Sequence, residues 1–251
     1  MQPRPSRYKA LLSGAIADLL AGLALLTALA LSLWRLADTP AAVVGQALLV
    51  YAVIAWLVFV GRGRAALGAA NRITLLRAVV AAVFAGLIFH AEAVSTHAWW
   101  LVGGASVALL LDGMDGWVAR HFSASSAFGA RFDMEVDAFF IMVLAALVFE
   151  FDKAGPWVLL IGLMRYGFVL LGWWLPALRG DLPASMRRKT VCVLQSVVLV
   201  AALAPIVGPR LATSLLGAAL LLLCYSFVVD SIWLLRHPSP EGEKTHENAA
   251  R

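Results

Sequence analysis

Charge is scarce in this chain. Only 14% of its 251 residues are Asp, Glu, Lys or Arg, while 62% are hydrophobic. A soluble domain carries about 25% charged residues, so a water-covered surface is excluded. Cysteine is nearly absent. Cys192 and Cys224 both sit in apolar runs, which argues against a disulfide-built scaffold and for two packing thiols. Short alternating strands are missing too, and with them the pattern of a small closed barrel. A nucleic-acid reading of the +5 net charge fails because the basic residues gather at the ends of apolar segments, as at a membrane surface.

What the chain has is long apolar runs, such as 19–33 and 215–229. In a bilayer each spanning segment must satisfy its own backbone hydrogen bonds, which predicts helices. Eight spans are expected, near 11–36, 41–60, 71–91, 98–120, 128–150, 154–175, 188–207 and 211–235. The first reads as a retained span rather than a signal peptide, because no cleavage signal precedes a soluble domain. The third is unusual, with Asn71, Arg72, Thr74 and Arg77 in its first turns needing a pocket or an interfacial position. With the N-terminus in the cytoplasm, the alternating spans put sixteen of the 20 Lys and Arg on that side. Arg35, Lys153 and Arg210 face the other side, and Arg165 falls inside the sixth span. That asymmetry predicts cytoplasmic termini in a cell inner membrane. The fold class is therefore all-α, a polytopic membrane helix bundle. Residues 1–70 form an extension with two transmembrane helices and a short connector, 71–236 a six-helix membrane domain, and 237–251 a polar, disordered tail.

The chemistry concentrates in 112–137, DGMDGWVARHFSASSAFGARFDMEVD. Asp112 and Asp115 share one helix face at i,i+3. Asp133 and Asp137 share a face of the next helix at i,i+4. A short connection makes the two helices antiparallel neighbours, so four carboxylates converge at the cytoplasmic edge. Like charges in low dielectric repel unless a cation joins them. Hard oxygen ligands without Cys or His suit Mg²⁺ or Mn²⁺, and two ions fit between the helices, bridging a diphosphate. Gly116, Ala119 and Gly129 keep the helix faces low for a nucleotide, and the Arg120 fork matches phosphate oxygens.

This stretch resembles the signature of the CDP-alcohol phosphatidyltransferase family, D-x₂-D-G-x₂-A-R-x₈-G-x₃-D-x₃-D. Asp112, Asp115, Gly116, Ala119, Arg120, Gly129, Asp133 and Asp137 match every fixed position. An N-x₂-T-x₂-R element is matched by Asn71, Thr74 and Arg77. The resemblance covers the six-span core and leaves the first 70 residues outside. It implies that Asp112, Asp115 and Asp133 are the principal metal ligands, with Asp137 as general base that also touches a metal. It implies that Asn71, Thr74 and Arg77 help bind the cytidine end of the donor, and that Gly116, Ala119, Arg120 and Gly129 line the nucleotide and diphosphate pocket. The implied reaction moves a phosphatidyl group from a CDP-linked lipid, usually CDP-diacylglycerol, to a polar alcohol and releases CMP. A homodimer is implied as well.

For the acceptor, Arg165 in an apolar span needs an anion or a carboxylate: either an acceptor phosphate or one of the site aspartates. Arg187, Arg188 and Lys189 at the entrance of the seventh span add positive charge, or serve only as inner-surface charge. Together they favour an anionic acceptor such as glycerol 3-phosphate or an inositol phosphate. Glu135 turns away from Asp133 and Asp137, toward solvent or toward Arg131. Asp18 and Asp230 are expected to pair with local cations. Competing readings are a same-fold enzyme using another CDP-alcohol or water, a divalent-cation transporter, and an inactive structural homologue. Carboxylates at helix ends rather than at the midplane favour catalysis over transport.

Overall fold

The structure, a computed structural model, describes residues 5–61, 67–121, 127–175, 180, 182–183 and 185–237, without the side chains of 5–13, 115–121 and 127. The described residues form α1 (Pro5–Leu36), α2 (Ala41–Gly61), α3 (Ala69–Leu87), a 3₁₀ stretch (Ile88–His97), α4 (Ala98–His121) and α5 (Ala127–Glu150). A 3₁₀ turn (Pro156–Val158), α6 (Leu159–Trp174), α7 (Met186–Leu203) and α8 (Pro209–Arg236) follow. The tail from 238 onward and connector residues 62–66, both singled out in the sequence, lie outside the described residues.

Proline punctuates the bundle. A residue preceding proline is pushed out of the helical region. Accordingly α7 stops before Ala204, extended at φ −63°, ψ 134°, and Pro205 follows. Gly155 and Gly208 are extended before Pro156 and Pro209, which open the next helical segments at a position where a missing N–H costs nothing.

Among the described residues, five stretches are long and apolar enough to cross a membrane, against the eight expected: Gly14–Leu36, Ala41–Gly61, Ala69–Met114, Pro156–Trp174 and Pro209–Arg236. The difference has two physical causes. The 46-residue stretch Ala69–Met114 contains both α3 and α4. As one straight helix it would run roughly 70 Å, more than twice the ~30 Å hydrocarbon core. It breaks at His90, with φ −135°, ψ 27°, and folds α4 back against α3. The other cause is composition. The first turns of α5 hold Arg131, Asp133, Glu135 and Asp137, and α7 opens on Arg187, Arg188 and Lys189.

The centre of the bundle is α3, which packs against α1, α2, α4 and α5. In the α3–α4 stretch 61% of the apolar window is buried, against 17% for α1 and 22% for α2, so the N-terminal pair lies outside and α3 inside. Close approach depends on small residues. A Cβ on Gly86 of α3 would come within 2.7 Å of the Val43 carbonyl oxygen on α2. One on Gly162 of α6 would come within 2.6 Å of the Met142 Cα on α5. The outward faces are apolar, with Leu20, Leu49, Trp56 and Leu221 all exposed. So wide an apolar surface is stable in lipid, not in water. The molecule is an all-α, polytopic integral-membrane bundle.

Candidate active site

Asp133 and Asp137 stand one turn apart on α5, and Asp112 lies toward the end of α4. One carboxylate oxygen from each of the three lies within 4.8 Å of the others. All three residues are half-buried, so the cluster is open on one side. The i,i+4 spacing puts Asp133 and Asp137 on one face of α5, but α4 and α5 are not the direct neighbours expected from the sequence. Each packs on α3, with no extended α4–α5 interface among the described residues, and α3 brings Asp112 to the other two. Asp115, Gly116, Ala119 and Arg120 occupy the last turns of α4, where side chains lie outside the described residues. Gly129 is buried one turn before Asp133.

The cation among these carboxylates is Arg77. Its side chain is 3% exposed, and Nη1 lies 2.8 Å from Asp112 Oδ1 and 2.9 Å from Asp133 Oδ1, while Nη2 donates to Asp137. The polar first half of α3 thus has its pocket: the guanidinium sits in the acidic cluster. Arg77, which the resemblance places with the donor-binding residues, thus adjoins Asp112 of the same set. Thr74 is 2% exposed and its Oγ1 donates to the Ala70 carbonyl at 3.2 Å. Asn71 is half-buried one turn earlier on α3.

Among the described side chains, three carboxylates against one guanidinium leave a formal charge of two negatives, which one divalent cation would neutralise. Oxygens around a Mg²⁺ ion at 2.0–2.1 Å stand at most roughly 4 Å apart. The observed spread of 4.8 Å is within a small side-chain adjustment of that arrangement. The donor set is all oxygen, as hard cations require. The cluster therefore fits a divalent metal.

Beside it lies a cavity of about 450 Å³ between α5, α6, α7 and α8. Asp137 is on one wall, and Arg165, Arg188 and Lys189 are on the others. Arg187 is not part of the lining; it donates to the Ser226 carbonyl at 2.6 Å and to Asp230 Oδ1 at 2.5 Å. Arg188 shares Asp230 Oδ1 at 3.1 Å. Lys189 has no ion pair among the described residues. Asp18 likewise finds a local cation, Arg72, at 3.1 Å.

Glu135 turns away from Asp133 and Asp137 and faces solvent, as its helical position predicts. Its cation among the described residues is Arg165 rather than Arg131, and it accepts from Arg165 Nη2 at 2.6 Å. Arg165 accordingly pairs with this acid and not with a site aspartate. The reason is interhelical: Glu135 leaves the aspartate face of α5 on the side where α6 packs. Arg165 still has its buried Nε without a hydrogen-bond partner among the described residues.

Gln195 and Ser226 were not singled out in the sequence, yet both line the cavity, and each is buried at 3% exposure. A signal existed for Gln195. It stands seven residues after Arg188, two turns along the same face of α7, and is polar inside an apolar run.

Comparison with family models matches residues 67–229 to the family described as CDP-alcohol phosphatidyltransferase. Searches of curated proteins and of solved structures found no match.

Proposed function

Because the chain belongs to the CDP-alcohol phosphatidyltransferase family, and is thus a membrane phosphotransferase acting on a CDP-linked lipid and a polar acceptor, we propose that it transfers the phosphatidyl group of CDP-diacylglycerol to a hydroxyl of a small phosphorylated alcohol. Glycerol 3-phosphate and an inositol phosphate are the acceptors of this class that suit the cavity's cations. The observation that carries the reading is one continuous arrangement: the carboxylate cluster of Asp112, Asp133 and Asp137 opens beside a cavity that holds Asp137 at one wall and Arg165, Arg188 and Lys189 at the others.

In this reading Asp112, Asp115, Asp133 and Asp137 hold one or two ions of Mg²⁺ or Mn²⁺. A metal held there would supply positive charge to offset the diphosphate and the departing CMP phosphate. Asn71, Thr74, Arg77, Asp112, Gly116, Ala119, Arg120 and Gly129 surround the donor's nucleotide and diphosphate. Arg165, Arg188 and Lys189 receive the acceptor's phosphate, which brings its hydroxyl to Asp137, and Arg187 positions Asp230 beside Arg188. Asp137 takes the hydroxyl proton while the acceptor oxygen forms its bond to the phosphatidyl phosphorus and the bond to CMP breaks. Transfer is direct, without a covalent enzyme intermediate. The placement of the site on the cytoplasmic side of an inner membrane rests on the distribution of Lys and Arg along the sequence.

An acceptor screen tests the proposal. Purified protein receives CDP-diacylglycerol, a divalent metal and one candidate alcohol at a time, and CMP and lipid product are followed. CMP release that requires a phosphorylated alcohol supports it. Release in water alone would make the protein a hydrolase, and release with neutral alcohols only would reject the anionic-acceptor assignment.

A further inference from the structure

A second cavity, of about 870 Å³, lies on a different face of α5. With 3.6 residues per turn, Phe132, Glu135 and Phe139 project from α5 well away from Asp133 and Asp137. The far wall is α2, with Leu49, Val53 and Leu57. Both helices pack on α3 but share no extended interface with each other. They meet at Gly61 and Phe128, where a Cβ on Gly61 would lie 3.1 Å from the phenyl ring. From there a cleft runs between them to Leu49.

Three features identify what fills it. The first is length: from Gly61 to Leu49 the helix rises roughly 18 Å, close to half of the ~30 Å hydrocarbon core and so to one leaflet. The second is shape and lining. The cleft is recessed between two helices of one chain and walled by aliphatic and aromatic side chains, so it takes a thin flexible chain rather than a helix of ~10 Å diameter. The third is charge. Arg131 borders the cavity at the end nearest the carboxylate cluster, is exposed and has no ion pair among the described residues. The acid beside it, Glu135, is already held by Arg165.

We propose that this cleft is a binding site for an intact anionic phospholipid of the leaflet on the site side, with one acyl chain between α2 and α5 and its phosphate on Arg131. The guanidinium fork suits phosphate, and an interfacial cation favours an anionic headgroup. The lipid is distinct from the substrate, whose diphosphate belongs at the carboxylates on another face of α5. Since α2 lies outside the family match at 67–229, the cleft is an addition made by this chain's N-terminal helices. The inference does not depend on the acceptor assigned above; it takes from that reading only the donor's place at the carboxylates.

Native mass spectrometry of the full chain, released from bilayers of equal phosphatidylglycerol and phosphatidylcholine, tests it. The wild type is expected to retain one phosphatidylglycerol. Arg131→Gln is expected to lower the preference for phosphatidylglycerol roughly fivefold, the effect of one interfacial cation. Val53→Trp, which fills the cleft, is expected to abolish retention, while both variants keep binding CDP. Retention unchanged in both variants, or no lipid retained by the wild type, overturns the proposal. So does a dimer that Val53→Trp dissociates in lipid-free detergent, which would make the cleft a subunit interface. Retention that is lost in Asp112→Asn would instead assign the lipid to the substrate and equally overturn it.

Discussion

Arg165 on α6 donates from Nη2 to Glu135 on α5 at 2.6 Å, at the edge of the cavity that contains Asp137. The Glu135 side chain is 57% exposed, so the pair contributes little stability and a bound anion can compete for the guanidinium. Glu135→Gln is therefore expected to lower KM for a phosphorylated acceptor by roughly two- to fivefold. Arg165→Ala should raise it. Steady-state kinetics with phosphorylated and neutral alcohols checks both, and an unchanged acceptor profile in Arg165→Ala would remove Arg165 from the acceptor site.

Asp137→Asn keeps the shape of the side chain but cannot accept the hydroxyl proton. Turnover is expected to fall by roughly 10²–10⁴ while donor binding is retained. Equilibrium binding of a CDP-lipid alongside single-turnover CMP release separates the two effects. Loss of donor binding with turnover would recast Asp137 as purely a ligand-binding residue.

Asp112→Asn removes one charge from a cluster that, with Arg77 present, carries two negative charges among the described residues. Mn²⁺ binding, read by electron paramagnetic resonance without any substrate, is expected to weaken by an order of magnitude or more, about 1.4 kcal/mol per tenfold. Equal Mn²⁺ affinity in wild type and variant would dissociate the cluster from the metal.

Arg77 is 3% exposed and touches all three carboxylates, so it is the cluster's own counterion. Removing one partner from a fully buried ion pair costs about 3–5 kcal/mol, and the half-open carboxylates here reduce that figure. Arg77→Gln should melt at a lower temperature than wild type without metal and gain more on adding Mg²⁺. Thermal unfolding in detergent with and without Mg²⁺ measures this; equal metal-induced shifts would count against the counterion role.

Two glycines that look alike in sequence should behave oppositely. Gly86→Ala would force a Cβ to 2.7 Å from the Val43 carbonyl and is expected to cost about 1–3 kcal/mol. Gly45→Ala meets nothing within 4 Å and should be neutral or stabilising by up to about 1 kcal/mol. Thermal unfolding of the two single variants decides the matter.

The sequence by itself determined the solvent, the secondary structure and the acidic motif. Scarce charge and long apolar runs require lipid, lipid requires helices, and proline marks where several of them begin or end. The spacing of Asp112, Asp133 and Asp137 sets which of them share a helix face, because helical period is local. Tertiary structure decided every pairing between helices: Arg77 among the aspartates, Arg165 with Glu135, Arg187 and Arg188 on Asp230, and Gln195 at the cavity wall. It also decided that α2 leaves a cleft along α5. These relationships depend on the rotation and depth at which one helix packs on another, which close contacts such as Gly86 against Val43 set and no single helix encodes.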